Sequence, residues 1–407
     1  MTTKNNIPAG YKDSVVGIIP QEWEVATLGK LVSIASGESP SLFHLRSIGK
    51  YPYIKVEDMN NCEKYQADSR EYTDDERVVI AKGSIIFPKR GAAITNNKVR
   101  IAACQLYMDS NMMAITPNDL VCGDYLYFKI TYEQLFRIAD TSTIPQINNK
   151  HIIPYKICLP PIEEQRKIAE ILGVWDEAIE KQSRLIEKLE LRKRALMQRL
   201  LTGRTRLPGF TTPWQKRRMK DCFEHITDTS NGCEYLPMTI SARLGLISQK
   251  DKFDRVIAGD SLKKYTHIQK GDFAYNKGNS NLYEMGCIYR LKEQDAVVPF
   301  VYICFRPKQN VIGEFYQHFF INHGLDRQLK RIITSGARGD GLLNVDKTDF
   351  FELEIVYPPI AEQKAIAEVL TAADNEIATH CKKLDALRLQ KRGLMQQLLT
   401  GKTRVKI

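Results

Sequence analysis

Leu159-Pro160-Pro161-Ile162-Glu163-Glu164-Gln165 opens a long charged segment that closes at Leu201-Thr202-Gly203. The pattern returns as Tyr357-Pro358-Pro359-Ile360-Ala361-Glu362-Gln363 and closes at Leu399-Thr400-Gly401. Both landmarks move by one interval, since 358 − 160 and 401 − 203 each give 198. Repetition at this scale divides the chain into two related halves, each a globular segment followed by a helix. Proline suits a helix entrance, where its missing N–H has no partner in any case. Glu164 and Glu362 fall in the first turn, where the helix dipole favours anions, and Gly203 and Gly401 stand where a helix C-terminus calls for glycine. About 40 residues at ~1.5 Å each predict a rod of ~60 Å.

The apolar residues of the first segment form a heptad-like stripe: Ile168, Ile171, Leu172, Trp175, Ile179, Leu185, Ile186, Leu189, Leu196 and Leu200. The positions 198 later are Ile366, Val369, Leu370, Ala373, Ile377, Lys383, Leu384, Leu387, Leu394 and Leu398. A rod this long cannot bury such a stripe alone. The expectation is an antiparallel pair in which Ile168, Leu172, Trp175, Ile179, Leu189 and Leu196 face Ile366, Leu370, Ile377, Leu387 and Leu394.

Pro-Pro-Ile-x-Glu-Gln opening a long helix that ends Leu-Leu-Thr-Gly, twice across essentially the whole chain, resembles the specificity subunit of a type I restriction-modification system. The resemblance implies an α+β architecture: two similar mixed α/β target-recognition domains, separated by two long conserved helices that form an antiparallel coiled coil, with a pseudo-twofold internal repeat. The expected boundaries are 1–158 for the first domain, 159–206 for the first helix, 207–356 for the second domain and 357–407 for the second helix. It also implies double-stranded DNA, two methyltransferase (M) subunits and nuclease/translocase (R) subunits as partners. S-adenosylmethionine, ATP and Mg would then sit on those partner subunits, with no cofactor in this chain.

Composition agrees with a polyanion partner without demanding one. The 407 residues carry 59 Lys and Arg against 48 Asp and Glu, a formal charge of +11, with a pI near 9.0. No charged leader runs into an apolar core with a cleavage site, so a cytoplasmic, membrane-free protein is expected. The most apolar run, Ala296 to Phe305, is about strand length and contains Pro299. Nine cysteines lie scattered at 62, 104, 122, 158, 222, 233, 287, 304 and 381, without Cys-x-x-Cys or zinc spacing. His318 and His323 read as ordinary domain histidines, and no metal site is expected.

Each domain has a matching entrance, Gly17-Ile18-Ile19-Pro20-Gln21-Glu22-Trp23 and Leu207-Pro208-Gly209-Phe210-Thr211-Thr212-Pro213-Trp214, with the tryptophan as an anchor. Short strands are expected at Tyr51–Val56 and Ser84–Phe87, answered by Tyr235–Met238 and Lys270–Tyr275. Helical spacing marks Tyr125–Phe136 and Phe315–Leu329.

The chemistry of catalysis is missing. An amino-methyltransferase needs Asn/Asp-Pro-Pro before an aromatic, whereas here the Pro-Pro pairs follow Leu159 and Tyr357 and precede isoleucine. Gly401-Lys402-Thr403 lacks the first glycine of a phosphate loop, position 396 being Gln. No catalytic residue is assigned. For reading DNA, base edges need donors and acceptors, and phosphates need cations. The first domain offers Arg46 in the Ser36–Lys50 loop, Lys89, Arg90, Asn96, Asn97 and Lys98 in the Pro88–Lys98 loop, and Thr143 in Thr141–Lys150. The second offers Arg243, Lys277, Asn279, Ser280, Asn281, Tyr283 and Arg338. Arg192, Lys193 and Arg194, with Lys391 and Arg392, are candidate subunit or phosphate contacts. The rival reading is a stand-alone two-domain DNA-binding regulator or scaffold.

Overall fold

The computed structural model describes residues 7–142, 144–229, 235–253, 259–278, 282–333 and 343–406. The two long segments are uninterrupted helices, Ile162–Leu200 and Ile360–Leu398, of 39 residues each. Compactness divides the chain through the middle of both: one unit holds Met1–Ser183 and Lys383–Ile407, the other Arg184–Lys382. Each unit therefore contains one globular domain, the beginning of that domain's own helix and the end of the other.

The two domains are built on one plan. In unit 1 a sheet runs in the order Val32–Ser36, Met112–Pro117, Ile85–Pro88, Arg100–Ala102, Tyr65–Gln66. In unit 2 the order is Phe223–Ile226, Ile303–Pro307, Phe273–Asn276, Cys287–Arg290. In both, the strand that follows the entrance tryptophan pairs antiparallel with the last before Pro-Pro: Glu24–Thr27 with Lys156–Leu159, and Gln215–Arg218 with Glu354–Tyr357. A second small sheet carries the expected strands Tyr51–Ile54 and Leu236–Ser241, each beside a parallel partner, Tyr107–Met108 and Ala296–Val298. The apolar run Ala296 to Phe305 is two strands rather than one. Pro299, which cannot donate to a ladder, accepts from Tyr302 N in a turn at 3.0 Å, and the chain passes from one sheet to the other. The helical spacing of Phe315–Leu329 likewise splits into Gly313–Ile321 and Asp326–Ile332 around His323, whose φ is +60°.

The repeated motif explains itself in contacts. Glu164 and Glu362 are fully buried. Trp23 Nε1 donates to Glu164 at 2.9 Å, and Arg404 donates through Nε and Nη2 at 2.7 and 2.9 Å. In unit 2 Trp214 Nε1 donates to Glu362 at 2.8 Å, and Arg206 at 2.5 and 2.6 Å. Gln165 and Gln363 are also buried. Each side-chain amide donates back to its own Pro-Pro segment (Pro160 O at 2.9 Å, Pro358 O at 2.8 Å) and accepts from the residue that caps a domain helix (Cys122 N at 2.8 Å, Ile312 N at 3.0 Å). The glycines that end the helices are left-handed, φ +69° at Gly203 and +73° at Gly401, and each backs onto a tryptophan.

The helix segments run antiparallel within each unit. In unit 1 the pairs Glu164–Arg404 and Asp176–Lys391 advance by 12 residues along one helix (176 − 164) while falling by 13 along the other and its tail (404 − 391). In unit 2 Glu362–Arg206 and Asp374–Lys193 repeat both intervals (374 − 362, 206 − 193), and Arg192 pairs with Glu376. Lys391, Arg192 and Lys193, offered as external contacts, are thus ion-paired to Asp176, Glu376 and Asp374 of the opposite helix; Arg194 and Arg392 remain exposed. The stripe is buried unevenly. Ile168 and Leu172 enter the core of the first domain beside Leu394, Met395 and Leu398, while Ile366 and Leu370 enter that of the second beside Leu196, Met197 and Leu200. Leu189 is buried, but Trp175, Ile179, Ile377 and Leu387 are only half-buried. A stripe fixes which face is covered, not which neighbour covers it.

Two tests follow from these contacts. Breaking a buried carboxylate–guanidinium pair by removing one partner costs roughly 3 kcal/mol, so Arg404→Ala lowers the urea midpoint of unit 1, and adding Glu164→Gln recovers part of the loss. The second concerns His318, which is 2 % exposed with Nδ1 3.8 Å from Asp374. Burial pulls its pKa down to about 4, with Lys193 and Lys292 opposing protonation and Asp374 and Glu314 favouring it. A pKa below the unfolded value of ~6.5 means the folded form takes up a proton less readily. Its contribution to stability is complete above that value and is lost as pH falls towards about 4. His318→Phe flattens this slope in a pH series of thermal melts.

Candidate nucleic-acid interface

The central strand Ile85–Pro88 delivers the chain into the loop 89–98. Gly91, at φ +78°, turns it, and its N–H donates to Pro145 O at 2.9 Å. Ile147 N donates to Lys89 O at 2.9 Å, and Arg90 bridges with Gln146. Two of the loops singled out by sequence, 88–98 and 141–150, are therefore laid side by side by main-chain bonds. Arg90 and Asn96 are exposed, and Lys89 and Lys98 are half-buried. Burial, then the neighbouring Arg90 charge, lowers the Lys89 pKa, while Asp109 opposes the shift. Thr143 lies outside the described residues.

Asn97 has another occupation. Its φ is +49°, its Nδ2 donates to Thr131 O at 2.8 Å, and its Oδ1 accepts from Leu135 N at 2.9 Å. It ties the loop to the helix Gly123–Glu133 and its continuation, leaving Asn96 as the outward amide. Arg46 is exposed, but its surroundings are compensated: it lies 3.6 Å from Asp74, His44 lies 3.2 Å from Asp75, and Lys50 lies 3.8 Å from Glu76. Among the described residues no acid lies within ion-pairing distance of Lys89, Arg90 or Lys98, whereas the cations of the 36–50 loop each have one.

Unit 2 repeats the device. The strand Phe273–Asn276 leads into Lys277, whose carbonyl accepts from Leu343 N at 2.9 Å, the bond that Lys89 makes with Ile147 in unit 1. Arg243 is exposed at the tip of the hairpin joining Leu236–Ser241 to Gly245–Ser248, next to the exposed Leu244. Tyr283 is not a surface residue. It is 7 % exposed, joins a core cluster with Ile226 and Val298, and accepts from Tyr289 Oη at 3.3 Å. Sequence offers Tyr283 as a DNA-reading residue of a Gly/Asn-rich loop, yet here it is drawn into the apolar interior. Asn279, Ser280, Asn281 and Arg338 lie outside the described residues. Among the described residues no group of three or more His, Cys, Asp or Glu is placed to hold a metal ion, and no helix is long and apolar enough to cross a membrane.

Arg206 and Arg404, which pair with Glu362 and Glu164, lie outside the loops that sequence singles out, although they share the 198-residue offset (404 − 206). That offset was the available signal.

The family model described as the type I restriction modification DNA specificity domain matches residues 20–191 and 256–389. A putative type I restriction enzyme MjaX specificity subunit of Methanocaldococcus jannaschii is 26 % identical over 439 residues, covering 97 % of each chain. The EcoR124I/EcoR124II specificity subunit of Escherichia coli is 26 % identical over 180 residues, covering 41 % of this chain and 44 % of its own. Among solved structures, a type I restriction-modification S subunit from M. genitalium gives a TM-score of 0.56 at 15 % identity, over 98 % of both chains. A chain from a structural study of type I R-M complex assembly and conformational transition gives 0.59 at 15 % identity, over 95 % of this chain and 99 % of its own. These likenesses concern the fold.

On the ridge, Arg90→Ala should weaken binding to a cognate duplex by about 1–3 kcal/mol and relax discrimination at one position. Lys98→Ala should weaken binding to all sequences similarly and reduce the salt slope. Fluorescence anisotropy on cognate and scrambled duplexes at several salt concentrations separates the two behaviours.

Proposed function

Because the chain belongs to the type I restriction-modification DNA specificity family, as the match over most of its length shows, we propose that each of its two domains reads one half of an asymmetric, split DNA site. The observation that supports this is the paired-loop device: the same strand-to-loop bond presents Arg90 and Asn96 in unit 1 and carries Lys277 in unit 2, on frameworks of one topology and unlike sequence. Unlike side chains on like frames read unlike half-sites.

In this reading the chain is the non-catalytic DNA-recognition member of a type I assembly. The helix pair holds the domains and sets the unread spacer, because helix length is fixed at ~1.5 Å per residue whatever its surface chemistry. Two methyltransferase subunits dock on helices and domains, flip the target adenines out of the duplex and methylate them. S-adenosylmethionine belongs to those subunits, and ATP and Mg to the nuclease/translocase subunits. The complex works on cytoplasmic DNA.

Co-expression with methyltransferase subunits from the same genome, followed by mapping of methylated adenines, tests the proposal. A split, asymmetric motif that vanishes on deletion of this chain is expected, and exchanging residues 24–158 for another domain should change one half of it only. Methylation unchanged by deletion, together with DNA binding by the lone chain, would instead establish a stand-alone regulator.

A further inference from the structure

The two units differ at one buried position with chemical consequences. In unit 1 Lys129 is 3 % exposed, and its ammonium sits at the C-terminal end of the second long helix. Nζ donates to Leu399 O at 3.1 Å and lies 2.9 Å from Glu133 and 3.2 Å from Cys158 Sγ. Burial pulls its pKa down, but Cys158 and Glu133 raise it more, so the net shift is upward and the group stays charged. A cation at a helix C-terminus meets carbonyls that the helix itself cannot satisfy.

The corresponding helices, Gly123–Glu133 and Gly313–Ile321, are placed in register by the Gln165 and Gln363 bonds to Cys122 N and Ile312 N, an offset of 190 (312 − 122). Lys129 thus corresponds to Phe319, Cys158 to Val356 and Leu399 to Leu201 (offsets 190, 198 and 198). At this very place unit 2 has a cavity of about 390 Å3, lined among others by Leu201, Phe319, Asn322, Gln328, Glu354 and Val356. Among the described residues no donor reaches the Leu201 carbonyl. Phe319, 6 % exposed, contributes an aromatic wall. Glu354 stands where unit 1 has Lys156, so the sign of charge at the rim is reversed (354 − 156 = 198). Lys216 lies on the same rim, 3.4 Å from Glu354, and shows that this carboxylate already accepts an ammonium partner.

We propose that this cavity is a binding site for a primary alkylammonium group, seated against the end of the first long helix as Lys129 is seated against the second. The carbonyl of Leu201 and the Glu354 carboxylate take the N–H donors, and Phe319 takes the alkyl stem and the cation's face. The group comes either from a free aliphatic amine or from a lysine of a partner subunit. The site is independent of the DNA-reading ridge.

The test is a methyl-NMR titration of the full chain with butylammonium, with butan-1-ol as the neutral control. Saturable shifts at the Leu201 and Val356 methyls are expected with the amine alone, and Glu354→Lys, which copies the unit 1 rim at an exposed position, should raise the apparent Kd at least tenfold. Absence of a saturable shift, an equal response to butan-1-ol, or an unchanged Kd in Glu354→Lys would overturn the proposal. Repeating the titration on the complex with methyltransferase subunits separates the sources. A partner lysine abolishes the butylammonium response and gives a carbodiimide cross-link from Glu354 to the partner, whereas a free amine leaves the response in place.

Discussion

Two carboxylates without access to solvent, Glu164 and Glu362, govern the rest. An ionised carboxylate taken out of water costs several kcal/mol unless its lone pairs are filled by donors, preferably charged ones. For Glu164 the donors are an indole N–H from the entrance of the domain and two guanidinium N–H groups from the tail beyond the other long helix. Three segments separated by 141 and 240 residues must therefore meet at one point. Glu362 imposes the same condition on Trp214 and Arg206. The polar cost of leaving the carboxylate unpaired selects the closed arrangement of each unit, and burial of Ile168, Leu172 and Leu398 in the same place gives it apolar support.

This constraint makes the architecture legible in sequence. The interval of 198 residues holds at both Pro160 and Gly203, and with it the paired contacts of Glu164 with Arg404 and Glu362 with Arg206. Helix starts and the left-handed glycines could be read from it, and the anchoring tryptophans from the paired entrances, 191 residues apart (214 − 23). The destination of the apolar stripe could not, since periodicity identifies a face and not the element it meets. The ends of the stripe go to the domain cores, and the middle is only half covered. The basic residues at 192, 193 and 391 looked like free charges for the same reason: their acids, Glu376, Asp374 and Asp176, are about 180 to 215 residues away in the chain.

The recognition loops were legible as loops, because glycine, asparagine and lysine after a short strand signal a turn. Which side chains face outward was not. Asn97 adopts a left-handed backbone conformation and spends both ends of its amide on the fold, and Tyr283 is withdrawn into a core. Neither outcome leaves a mark on local composition.

The divergence of the two units has a physical basis in how their loops are held. The loop after Ile85–Pro88 is fixed by Ile147 N to Lys89 O and Gly91 N to Pro145 O, and the one after Phe273–Asn276 by Leu343 N to Lys277 O. All are main-chain bonds, indifferent to the side chains they carry. Outward side chains on such loops, Arg90 and Asn96 among them, can be exchanged without disturbing the frame, whereas Asn97, Glu164, Gln165, Glu362 and Gln363 act through their side chains and cannot. The same separation reaches the interior, where Lys129 and Phe319 occupy equivalent positions and change the chemistry of a helix end without changing the sheet order behind it. A frame secured by a few buried side chains, with loops secured largely by backbone, lets one topology carry two different reading surfaces in a single chain.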